Sequence, residues 1–189
     1  MLYSKKWLNR AVFRPDNYHN TGEIDFDNVN YINSQRFEES PEIKLQAGDV
    51  LLAKDGSTLG IVNVIRYLPK PTTVNSSIAV ITPNSMLLGI FLYYLFQSSY
   101  LRHVIQSKKG GMGVPHLFQE DINKFKIPMP PYPEQLAIAN HLEFIDEATC
   151  SLAVKVQETL RILSEYRSAL ITSAVTGQID VREEVASDA

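Results

Sequence analysis

The stretch PEQLAIANHLEFIDEATCSLAVKVQETLRILSEYRSALITSAVTG, residues 133–177, decides the fold. Pro133 suits a first helical position, where its missing N–H costs nothing, and Glu134 complements the positive helix start. No proline or glycine then interrupts the chain until Gly177, which is placed to cap a helix end. At ~1.5 Å per residue this predicts a rod of roughly 60 Å over residues 133–176. Ile138, Leu142, Ile145, Leu152, Val156, Leu163, Tyr166 and Leu170 recur three and four apart, with Thr149 and Thr159 filling the gaps, and form a heptad seam. A domain of about 130 residues is only ~30–40 Å across. Most of the seam therefore calls for a partner helix, as in a coiled coil. Gln178 to Arg182 follow as a short strand, and residues 177–189 end in a mobile acidic tail.

Upstream of Pro133 the pattern is that of a mixed domain, residues 1–132. Residues 1–49 scatter Tyr18, Phe26, Val29, Tyr31, Ile32 and Phe37 among Asn, Asp and Gly, as short strands joined by polar loops do. Val50 to Lys54 and Leu59 to Ile65 flank Asp55-Gly56 and read as a β-hairpin with a tight turn. Thr72 to Ser77 lead into a strand at Ile78 to Ile81, and residues 86–106 read as a helix. Met86 to Phe96 is the longest apolar run, short of the roughly 20 residues that span a bilayer, so no membrane association is expected. Lys108-Lys109-Gly110-Gly111-Met112-Gly113-Val114-Pro115 must be a loop, Gln119 to Asn123 a short turn, and Phe125 to Met129 an edge strand. The fold class is α+β: one mixed α/β domain with a small β-sheet, followed by a long coiled-coil-like helix.

Charge divides at the same place. Residues 1–132 carry 14 Lys+Arg against 11 Asp+Glu, whereas residues 133–189 carry 4 against 10, so the overall charge of −3 conceals a basic part and an acidic part. Within the first part the basic excess sits in residues 50–132, with 8 against 3. That permits a moderate positive field over one face. The single cysteine, Cys150, and the lack of a signal-peptide pattern at the start lead to a cytoplasmic expectation.

Catalytic chemistry finds little support. Pro130-Pro131-Tyr132 lacks, at Met129, the polar residue that would bond a target amine in an amino-group methyltransferase, and no glycine-rich cofactor loop accompanies it. Pro15-Asp16 with Glu42-Ile43-Lys44 imitates the two carboxylates and lysine of Mg²⁺-dependent nucleases, in a stretch crowded with acids. His19, His103, His116 and His141 lack zinc-ligand spacing. The expectation is a chain that is not an enzyme and carries no cofactor and no metal.

The remaining signal is a linked set: Gly48 to Gly60 (GDVLLAKDGSTLG), Thr72 to Ser77, Gly110 to Leu117, Ile127-Pro128-Met129-Pro130-Pro131, Glu134-Gln135, and Glu165-Tyr166-Arg167 through Thr176-Gly177. In this order and spacing it resembles one target-recognition domain and the adjoining helix of the specificity subunits of type I restriction-modification enzymes, over about residues 24–182. The resemblance implies a chain that reads one half of a bipartite site in double-stranded DNA. It implies that methyltransferase (modification) subunits dock beside the helix, with S-adenosylmethionine chemistry there and cleavage in a separate restriction subunit. A complete subunit of that kind has two such domains and two helices, so this chain is a half subunit. It pairs with a second copy, as a homodimer with antiparallel helices, or it is a fragment that pairs with a different half.

Recognition needs phosphate contacts for position and base-edge contacts for discrimination. Lys54, Lys108 and Lys109 are candidates for phosphate, with the amides of Gly110 and Gly111 close to the DNA backbone, and Ser57, Thr58, Asn75 and Ser76 for base edges or phosphate. Further readers are sought among Arg14, Asn17, Tyr18, Asn20, Asn30 and Arg36. On the helix, Glu143, Glu147, Glu158 and Glu165 can accept basic groups of a methyltransferase partner, and Tyr166 and Arg167 pack at the helix end. Two other readings stay open: a coiled-coil adaptor that binds protein and not DNA, and a Mg²⁺-dependent nuclease.

Overall fold

The computed structural model describes residues 9–13, 29–107 and 115–179. The chain divides into two compact units, Met1–Leu142 and Glu143–Ala189. The first unit takes in the opening turns of the long helix.

The first unit is built on β3 (Val50–Ala53), which is buried along its whole length. β3 pairs antiparallel with β4 (Val62–Val64) on one side and β6 (Ile78–Ile81) on the other. Side chains alternate across a strand, so Val50 and Leu52 enter one core, with Leu92, Phe96, Leu101, Ile105 and Leu117, while Leu51 enters a second with Val74, Ile78 and Ile65. A strand covered on both faces reads as a continuous apolar run, as Val50-Leu51-Leu52-Ala53 does. Replacing Leu52 by Ala would cost roughly 2–5 kcal/mol.

The hairpin differs from the expected tight turn. Gly56–Thr58 is a turn of 3-10 helix, and Gly60, at φ +90°, donates to the Ala53 carbonyl while the Ala53 N–H donates to Ile61. Two residues thus face one, a bulge that only glycine adopts readily at that φ.

The three residues of β5 (Thr72–Val74) leave this sheet. They pair in parallel with β1 (Asn9–Phe13), which pairs antiparallel with β2 (Asn30–Asn33), giving a second sheet ordered β2-β1-β5. The buried hydroxyls of Thr72 and Thr73 donate to the carbonyls of Lys70 and Ile43, at 2.8 and 2.9 Å. A short helix α1 (Ser34–Glu38) follows β2, its first turn capped by Asn33.

The single helix expected over 86–106 is two, α2 (Gly89–Gln97) and α3 (Ser99–Ser107). Ser98 breaks it: its backbone is extended, its Oγ donates to Leu95 O, and the same Oγ accepts from Leu101 N. One hydroxyl ends one helix and starts the next, which is why serine is poor inside helices and good at their ends. After the short helix α4 (Gln119–Ile122), residues 125–129 form no strand. Pro128 and Pro130 remove the N–H groups a ladder needs, and Phe125 and Ile127 pack instead against the first core.

Helix α5 (Tyr132–Val175) is anchored at its start by Gln135, which is buried although polar. Its Oε1 accepts from Leu88 N at 2.9 Å, and its Nε2 donates to Met86 O and Pro130 O, both at 2.9 Å. One amide thereby ties the start of α2, the loop before it and the proline segment to the long helix. Nearby, Gly89 lies so close to Gly48 that a Cβ on it would stand 2.1 Å from the Gly48 carbonyl oxygen.

In the second unit α5 ends at Gly177 (φ +72°), with Gln178 N–H donating to Ser173 O and Gly177 N–H to Ala174 O. This is the Schellman arrangement that a glycine just past the helix permits. Gln178 and Ile179 are not in a strand, and the rest of the strand expected over 178–182 lies outside the described residues.

Candidate functional site

Three segments far apart in sequence meet at Lys54. Its N–H donates to Ser77 O at 2.9 Å, its carbonyl accepts from Leu117 N at 2.9 Å, and Gly56 N donates to Pro115 O at 3.0 Å. The loop after β3, the β5–β6 turn and the segment before α4 are therefore one surface. The backbone is satisfied by these bonds, which frees side chains for a ligand.

Of the residues chosen from the sequence, Lys54 is half-buried and Ser57 exposed. Thr58 donates its hydroxyl to Asp55 O at 3.1 Å, so it shapes the loop from within. Ser76 is exposed, and Asn75 is half-buried with an Oδ1 that has no hydrogen-bond partner among the described residues. An acceptor left unpaired in a folded chain costs free energy. Asn75 and Ser76 share a cleft of about 360 Å³ with Arg36, Phe37 and Thr73. Arg36 is 72 % exposed there, paired at 2.8 Å with Glu39, a surface contact of small worth. Asn30 is exposed on β2. Lys108, Lys109, Gly110, Gly111, Arg14, Asn17, Tyr18 and Asn20 lie outside the described residues.

Sequence reasoning missed the contact that closes this surface. His116 Nδ1 bonds Asp55 Oδ1, across 61 positions, and both side chains stay about a third exposed. In the sequence Asp55 reads as a turn residue and His116 as an isolated histidine. Nothing local signals their pairing. Phe118, 62 % exposed, sets its ring edge-on to His116 with centroids 4.5 Å apart. Tyr31 and Lys70 form a second unanticipated pair, with Nζ 3.0 Å from the phenol oxygen.

No group of three or more His, Cys, Asp or Glu among the described residues is placed to hold a metal ion. Lys44, the lysine of the nuclease-like triplet, is bonded to Glu38 and lies 5.0 Å from the Phe37 ring centroid. Asp16 lies outside the described residues. No helix among the described residues is long and apolar enough to cross a membrane.

The seam of α5 is uncovered. Leu152 is 61 %, Val156 51 %, Leu163 56 %, Tyr166 62 % and Leu170 42 % exposed, and Ile138 and Ile145 are exposed as well, with Leu142 half-buried. Thr159 donates its hydroxyl to Lys155 O at 2.9 Å, so the seam meets only its methyl group. Around the helix from the seam, Glu147, Glu158 and Glu165 are exposed and Glu143 half-exposed. Arg161 bonds both Glu158 and Glu165. The guanidinium holds the Glu158 carboxyl below its ordinary pKa, and the carboxylate raises that of Arg161.

Residues 5–161 match the family model of the type I restriction modification DNA specificity domain. The chain is 23 % identical over 170 residues to the EcoKI type I restriction enzyme specificity subunit of Escherichia coli K12, covering 89 % of this chain and 36 % of that one. It is 23 % identical over 165 residues to the MjaVIII specificity subunit of Methanocaldococcus jannaschii, covering 85 % and 38 %. The chain thus spans little more than a third of the length of these relatives. The crystal structure of the HsdS subunit from Thermoanaerobacter tengcongensis shares the fold, with a TM-score of 0.63 and 19 % identity, over 90 % of this chain and 43 % of that one.

Proposed function

The chain belongs to the family of type I restriction-modification DNA specificity domains, and from that premise we propose that it reads one half of a bipartite site in double-stranded DNA and directs methyltransferase and restriction subunits to it. The observation that carries this reading is the family match across both the mixed domain and most of the helix. The surface around Lys54 supports it, because it gathers a cation, hydroxyls and an amide where phosphate and base-edge contacts are needed. In this reading residues 1–132 recognise DNA, residues 133–176 pair with a second half and dock methyltransferase subunits, and residues 177–189 form the tail. The chain has no chemistry of its own and works in the cytoplasm. The exposed seam of α5 is the surface through which two copies pair, and the acidic positions beside it face basic groups of the methyltransferase.

The test is duplex binding by the chain assembled with a methyltransferase subunit. Lys108 and Lys109 contact phosphate in this reading, so their double alanine variant should weaken binding to all sequences and flatten the salt dependence by up to about two charges. An unaltered slope excludes them. Absence of salt-dependent binding by the unsubstituted complex removes the reading itself.

A further inference from the structure

The pair of Asp55 and His116 sits in the middle of the surface proposed to meet DNA, which raises a physical question. A carboxylate 31 % exposed beside a polyanion is repulsive unless a cation compensates it. The His116 imidazole is the group bonded to it. Because Asp55 takes Nδ1, the remaining ring nitrogen, Nε2, is left for a second partner. No described residue bonds Nε2. A latch between two loops would need only the backbone bonds Gly56 N to Pro115 O and Leu117 N to Lys54 O, which are already in place. It would not need Phe118 on the surface, 62 % exposed and edge-on to the imidazole. An exposed large aromatic touching a polar group is suited to a partner that is itself half apolar and half charged. A deoxyribose-phosphate unit has that character.

We propose that His116 and Phe118 form a contact to the DNA backbone: His116, oriented by Asp55, donates from Nε2 to a phosphate oxygen, and the Phe118 ring covers the neighbouring deoxyribose. The imidazole then stands between the Asp55 carboxylate and the phosphate, so that the two anions do not face each other directly. Asp55 is a positioning residue and His116 a binding residue. The contact is to phosphate, so it adds affinity and register and carries no sequence information. The inference rests on the DNA-reading function above.

The experiment uses the full chain assembled with methyltransferase subunits and a duplex with single phosphates replaced, one at a time, by uncharged methylphosphonate. His116→Ala should raise Kd about tenfold or more on specific and unrelated duplexes alike, as loss of a hydrogen bond to a charged group does. It should also lower the salt slope by about one. One methylphosphonate position should weaken the unsubstituted complex and leave the variant unchanged, which assigns the phosphate to His116. Phe118→Ala should weaken binding without altering the slope. Should His116→Ala fail to fold, His116→Leu serves, since it fills similar space and offers no donor to that phosphate. If the variants bind as the unsubstituted complex does, or lose thermal stability with no position showing coupling, the inference is overturned and the DNA-reading function stands. If the unsubstituted complex binds no duplex, both fall.

Discussion

At the scale of single residues, polar side chains with buried or shared partners hold the first unit together more distinctively than its apolar ones. Gln135 is the clearest case, because its amide makes three bonds to backbone groups of three different segments. Gln135→Ala should leave Leu88 N, Met86 O and Pro130 O short of partners and cost roughly 2–4 kcal/mol, read as a lower thermal midpoint. An unchanged midpoint would show that water replaces the amide at no cost. Glu134-Gln135 was visible in the sequence as part of a recurring pattern, but the reason for the glutamine was not, since its partners lie 47 and 49 positions away in two bonds. The same holds for Asp55 and His116. Lys54, Asn75 and Ser76 were legible as polar groups flanking apolar strands, which is a local property. That they share one surface depends on which strands pair, and this the sequence does not state.

At the scale of elements, the long helix was legible because its signals are all local: proline and glycine at the ends and apolar residues at heptad spacing between them. The β3–β4 hairpin was legible for a similar reason. Three elements were not. The break at Ser98 depends on one hydroxyl serving two helix ends. The alternation Phe125, Ile127, Met129 imitates a strand that its prolines forbid. β5 pairs with β1 rather than with its neighbour in sequence. The exposed seam of α5 gives the prediction at this scale. If two copies pair through the seam as proposed, Leu152→Glu with Val156→Glu should convert that dimer to a monomer in light scattering, because each buried leucine or valine contributes roughly 1.5–3 kcal/mol; an unchanged mass would contradict pairing through the seam. Arg161 and its two glutamates lie outside that seam. Because the folded helix holds the Glu158 carboxyl below its ordinary pKa, their contribution is present above the ordinary carboxylate range and is lost as pH falls through the lowered value. Being exposed, it is also screened by salt.

At the scale of the whole molecule, the chain matches its family over residues 5–161 yet spans little more than a third of its relatives. In our proposal a second half completes it through the seam, and two identical halves related by a twofold axis would read an interrupted palindrome. The opposite charges of residues 1–132 and 133–189 fit that division, with the basic part toward DNA and the acidic part toward protein. The most direct measurement is to produce the chain with its methyltransferase subunits in a host without such a system and to map methylated positions across the genome. The account predicts one newly methylated, interrupted palindromic sequence that disappears when the chain is omitted. Methylation that is absent, or that persists without the chain, would contradict it.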